Sequence, residues 1–80
     1  MEPKLEFYML FIKLCNGAWQ PVTYRYDYKG VELYSQAHCE DLKTDCQFAI
    51  CKITVTTING LPQVTSTCEH KYTLFYDDED

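Results

Sequence analysis

Eighty residues with a net charge of −5 and a pI near 4.8 allow one domain with a small core, because a chain of this length buries only about 60% of its unfolded surface. One arginine, Arg25, and an acidic balance exclude phosphate-backbone binding to nucleic acid, which needs clustered Lys and Arg. Three scattered glycines exclude a Gly-rich phosphate loop, and no stretch reaches the roughly 20 apolar residues of a membrane span.

The first element is a hairpin. Residues 5–14 form an apolar, aromatic run, Asn16 and Gly17 read as the turn, and residues 18–26 return. The preceding segment is not read as a secretion signal, since Glu6 interrupts the apolar run and no small-residue cleavage site follows. A two-residue turn sets Phe11 opposite Val22, Met9 opposite Tyr24 and Phe7 opposite Tyr26, with Leu14/Trp19, Ile12/Pro21 and Leu10/Thr23 on the reverse face. Both faces are apolar near the turn, so one is expected beneath a helix and the other against a partner. Pro21 has no N–H and suits an edge strand.

A turn at Lys29 and Gly30 leads into a short extended piece over 31–34, because glycine and β-branched Val31 open a helix poorly. Ser35 is the expected N-cap of a short helix over 36–43. Ala37, Cys39 and Leu42 would face a sheet, with Glu40, Asp41 and Lys43 in water. At little more than two turns, such a helix must dock to persist.

The second hairpin is longer. Residues 47–57 run up, Asn59 and Gly60 turn, and residues 64–76 return; Asn-Gly is the strongest short signal for a type I′ turn. That register puts Ala49, Cys51, Ile53 and Val55 opposite His70, Cys68, Ser66 and Val64, on a face that continues through Tyr72, Leu74 and Tyr76 and is expected to be the buried one. Lys52, Thr54 and Thr56 meet Thr67, Thr65 and Gln63 on the other face. The expected fold is an α+β domain over 1–80 of order ββαββ: two antiparallel hairpins form a four-stranded antiparallel sheet with one short helix on one face, and 1–4 and 77–80 are frayed tails.

Five cysteines stand at 15, 39, 46, 51 and 68. The odd count and the missing signal favour reduced thiols acting as small buried hydrophobes. A disulfide between Cys51 and Cys68, or Cys39 and Cys51, is sterically open in an oxidising compartment. His38, Cys39, Cys46, Cys51, Cys68 and His70 lack the knuckle spacing of a zinc site, though Cys68 and His70 would share a strand face. Only His70 stands near enough to Cys68 to activate it, a poor basis for nucleophilic catalysis. The expectation is a non-enzymatic protein with no catalytic residue, metal or cofactor.

What remains is surface chemistry. Seven tyrosines are too many for so small an interior to hide, and tyrosine is enriched at binding hot spots. With flanking acids, the expected partner-binding residues are Tyr24, Tyr26, Asp27, Tyr28, Glu32, Glu40, Asp41, Asp77 and Asp78. A leading hairpin carrying 16–22, the segment 34–43 and a closing hairpin, in a short acidic chain, resemble small phage and mobile-element proteins, and are similar in size and charge to the anti-CRISPR proteins. The resemblance implies inhibition by occlusion: in the host cytoplasm, the protein covers a Lys- and Arg-rich, nucleic-acid-binding surface of a bacterial defence complex. It would contact protein directly, not nucleic acid or membrane, as a monomer or weak homodimer. Two other readings stand beside this one, a structural or self-associating module and a disulfide-stabilised secreted or periplasmic domain.

Overall fold

A computed structural model describes residues 3–77. The elements in chain order are β1 (Lys4–Lys13), β2 (Trp19–Arg25), α1 (Tyr28–Leu42), β3 (Cys46–Ile58) and β4 (Leu61–Leu74). One antiparallel sheet has the strand order β2-β1-β3-β4, so each hairpin contributes its first strand to the middle. The ββαββ expectation holds, and its physical logic is simple. The two apolar strands lie in the centre, and Pro21 and Pro62, which cannot donate to a ladder, lie on the two edges. Lys4 already pairs with Thr56, so the N-terminal tail ends sooner than expected; positions 1–2 and 78–80 lie outside the described residues.

The core sits between the sheet and α1. Leu10, Phe48 and Ile50 point from the central strands at Val31 and Cys39, with Cys46 closing one end. Strands of 13 and 14 residues at ~3.3 Å per residue reach well past a 15-residue helix of ~22 Å. The Asn59 end of the long hairpin therefore projects beyond the helix, giving overall dimensions of 57 × 26 × 17 Å. No helix among the described residues is long and apolar enough to cross a membrane.

The helix is about twice as long as its sequence suggests. Asp27, in extended conformation, accepts a 2.6 Å hydrogen bond from the Gly30 N–H and is the true N-cap. Lys43 ends the helix in the left-handed region, its N–H donating to Cys39 O at 3.0 Å. Neither the turn at Lys29 and Gly30 nor the extended 31–34 segment exists; the cap and burial of Val31 override the roughly 1 kcal/mol penalty of a helical glycine. A Cβ on Gly30 would stand 3.2 Å from the capping Oδ1 of Asp27, so the cap itself asks for a small residue there. Ser35 is no cap but a buried mid-helix residue between Val31 and Cys39. Ala37 and Leu42 are exposed, and only Cys39 of the expected apolar trio faces the sheet.

Asn59 and Gly60 both have positive φ, 54° and 76°, and close the long hairpin with Ile58 opposite Leu61 as expected for a type I′ turn. The short hairpin turns differently. Only Gly17 has positive φ; its N–H donates to Leu14 O at 2.9 Å and the Leu14 N–H donates to Ala18 O at 2.7 Å. This is a three-residue loop with glycine in the left-handed position, and Asn16 Oδ1 accepts from the Ala18 N–H at 2.9 Å. Lys13 consequently faces Trp19 and Phe11 faces Pro21, until a bulge restores Leu10/Thr23 and Met9/Tyr24. The extra residue in that bulge, Val22, packs against the helix-side core rather than lying with Phe11.

A second bulge decides which face the end of β4 presents to α1. Cys51 faces Cys68 as expected, but Ile50 faces His70, leaving Glu69 as the extra residue. Beyond it every side chain of β4 changes face. Tyr72 and Leu74, expected with Ala49 and Cys51 on the buried face, instead share the face of Phe48 and Cys46, and it is this face that α1 covers. The Cys51 and Cys68 sulfurs are bonded, which corrects the reading of five reduced thiols for these two; Cys15, Cys39 and Cys46 are free.

Candidate functional site: an acidic aromatic groove

Glu32, Gln36 and Glu40 are four residues apart and share the flank of α1 beside β4. Across from them stand Tyr72, Leu74 and the segment that leaves β4, Phe75 to Asp77. Two adjoining cavities of about 550 and 270 Å³ share Gln36 and Leu74 and so form one groove along the helix. Glu32 and His70 mark one end, Glu40 and Asp77 the other. Among the described residues no Lys or Arg lines it.

The groove walls are fixed by polar contacts. Tyr72 Oη donates to Ser35 Oγ at 2.7 Å, and Ser35 Oγ donates in turn to Glu32 O at 2.7 Å. Tyr72 is held between His70, stacked at 5.1 Å, and Phe48 at 5.9 Å. Burial pushes the Tyr72 phenol above its ordinary range, outweighing the Ser35 hydroxyl, so it remains a neutral hydrogen-bond donor at physiological pH. At the other end, Asp45 Oδ1 accepts from the Tyr76 N–H at 2.8 Å and ties the outgoing chain to the α1–β3 loop. Phe75 is 76% exposed, and no other large apolar side chain on the groove is so open.

Of the expected partner-binding residues, three meet here: Glu32, Glu40 and Asp77. The others are dispersed. Tyr24 and Tyr26 cluster with Phe7 at 5.5 and 6.3 Å on the side of the sheet away from α1. Asp27 is spent on capping α1. Tyr28 packs edge-on against Tyr8 at 5.6 Å, and its phenol is raised by burial first and then by Glu32. Asp41 is exposed near the end of α1 and lines neither cavity, and Asp78 lies outside the described residues. Gln36, Tyr72, Phe75 and Tyr76 were not among the expected binding residues. A helix begun at Asp27 would have placed Glu32, Gln36 and Glu40 on one stripe, but nothing local signals the bulge that turns Tyr72 inward.

The thiol and imidazole groups do not converge. Among the described residues no three His, Cys, Asp or Glu side chains are grouped to hold a metal. His38 stacks on Tyr34 at 6.0 Å and meets Phe48 edge-on at 6.3 Å. The bulge separates His70 from the face that carries Cys68. Cys39 and Cys46 both donate to Thr44 O at 3.3 Å, and the Cys46 thiol is pushed up by burial and then by Cys39, the reverse of what a nucleophile needs. Compared with known proteins, the chain matches no family model, no curated protein and no solved structure.

Proposed function

We propose that this protein acts by binding, with the groove between α1 and β4 receiving Lys- or Arg-bearing segments of a partner protein. The observation that carries the reading is the alignment of Glu32, Glu40 and Asp77 with Tyr72, Phe75 and Tyr76 along a groove lined by no Lys or Arg among the described residues. Carboxylates at both ends attract cationic heads, and the aromatic floor takes their aliphatic stems and guanidinium faces. The molecule makes such a contact within itself, where the Arg25 guanidinium lies 5.2 Å from the centre of the Tyr34 ring. On the resemblance in size and charge to anti-CRISPR proteins, the partner proposed for the groove is a basic, nucleic-acid-binding surface of a bacterial defence complex, occluded in the host cytoplasm. Phage challenge of CRISPR-immune bacteria expressing the chain tests this. Plaque formation is expected to rise with the wild type and not with Glu32→Lys/Glu40→Lys; no rise with either sinks the defence-inhibitor reading.

The Cys51–Cys68 bond favours a second reading, a disulfide-stabilised domain that works outside reducing cytosol. Trapping thiols in intact cells before lysis distinguishes the two, since a cytosolic protein would keep this pair reduced.

A further inference from the structure

The sheet has a second face, which α1 does not cover. Side chains alternating away from the helix include Phe7, Phe11, Trp19, Tyr24 and Val64. At the middle of this face lies a depression of about 350 Å³, floored by Ala49 and the Cys51–Cys68 disulfide and walled by Phe11 and Trp19. The strand register gives this face two charged side chains, Lys13 and Lys71, and no carboxylate among the described residues. Glu6 is on the helix side with Lys52, and Glu69, in its bulge, acts on Lys52 and Tyr28 there. Among the described residues the sheet is thus polarised, with no acid on this face and two lysines among its aromatic and aliphatic side chains.

We infer that the uncovered sheet face is a homodimer interface, on which a second copy packs face to face. Two chains of charge −5 repel each other, and this is the surface on which that repulsion is weakest because the carboxylates point away. Strands of 7, 10, 13 and 14 residues at ~3.3 Å per residue and ~4.8 Å spacing cover roughly 700 Å². A specific interface should clear about 1,000 Å² in total, about 500 Å² per partner, which a face of this extent exceeds. Two such faces pack ~10 Å apart with their side chains interdigitated. Lys13 lies towards one end of the face, Lys71, which is exposed, lines the depression beside Ala49, and each copy carries its acidic groove outwards.

Sedimentation of the full chain, disulfide intact, from about 1 to about 200 µM tests the inference. A dimer with a Kd of about 10 µM or tighter is expected, undiminished in 1 M salt because apolar contacts are not screened. Trp19, the sole tryptophan, should shift its emission to the blue as the dimer forms. Val64→Glu, at a position 62% exposed in the single chain and so tolerated by the fold, should weaken the dimer at least ~10-fold. Leu33→Glu, on the exposed surface of α1 at 55%, should leave it unchanged. A monomer at every concentration overturns the inference, as does a dimer that Leu33→Glu breaks and Val64→Glu does not.

Discussion

Tyr72 on the edge strand and Ser35 in the middle of α1 are joined by a 2.7 Å hydrogen bond, and they meet because β4 carries one residue more than its partner strand at Glu69. The bond closes the inner wall of the groove. Tyr72→Phe should cost about 0.5 to 1.5 kcal/mol, the net value of one such bond, measured by urea denaturation at pH 7. The phenol's folded pKa is raised above 10.0, so its unfolded form releases the proton first. The stability from this group is therefore complete below pH ~10 and lost as pH rises through the folded value. Wild-type stability should fall as pH rises above ~10, and less steeply in Tyr72→Phe, where Tyr28, also raised, still contributes.

Deleting Glu69 tests the bulge directly. With Glu69 gone, Cys68 and His70 become chain neighbours, and ordinary alternation keeps Cys68 opposite Cys51 and His70, Tyr72 and Leu74 on the α1 side. The Tyr72–Ser35 bond should survive, and stability should change by less than about 1 kcal/mol. A loss of more than about 2 kcal/mol in the deletion variant would mean that Glu69 does more than offset the register.

How far the sequence carries the argument depends on the range of each signal. The Asn59 and Gly60 turn, Pro21 on an edge and the Cys51/Cys68 opposition were legible because turn chemistry and alternation act between neighbours. The two bulges were not: an extra residue at Val22 or Glu69 satisfies the demands of a core that only the assembled sheet defines. The helix start was misread because Gly30 looks like a turn until Asp27 is seen capping onto its N–H. Glu32, Glu40 and Asp77, which line one groove, were named together with residues that the fold carries elsewhere, such as Tyr24 and Tyr26 on the other side of the sheet. Their aromatic companions Tyr72 and Tyr76 had been assigned to the wrong face.

Gly60, at φ 76° with open space around the position of a Cβ, carries a purely conformational demand. Gly60→Val should destabilise by more than about 1 kcal/mol, because a β-branched residue fits the left-handed region poorly. An unmoved melting temperature would show that the hairpin does not depend on this turn.

Thiol counting checks the cysteine assignment. Without reductant the native protein should label quickly at Cys15 alone, since Cys39 and Cys46 are buried. Denaturation should expose all three, and reduction should release the Cys51–Cys68 pair. Five thiols in the denatured, unreduced protein would contradict the bond.

The central claim is that the groove along α1 takes cationic side chains, and backbone amide shifts read during titration with an Arg-rich peptide test it most directly. The expected result is saturable shifts confined to Glu32, Gln36, Glu40 and residues 72–77, weakened by salt and abolished in Glu32→Lys/Glu40→Lys. Shifts centred instead on the uncovered sheet face around Trp19 and Tyr24, or no saturable shift at all, would contradict it.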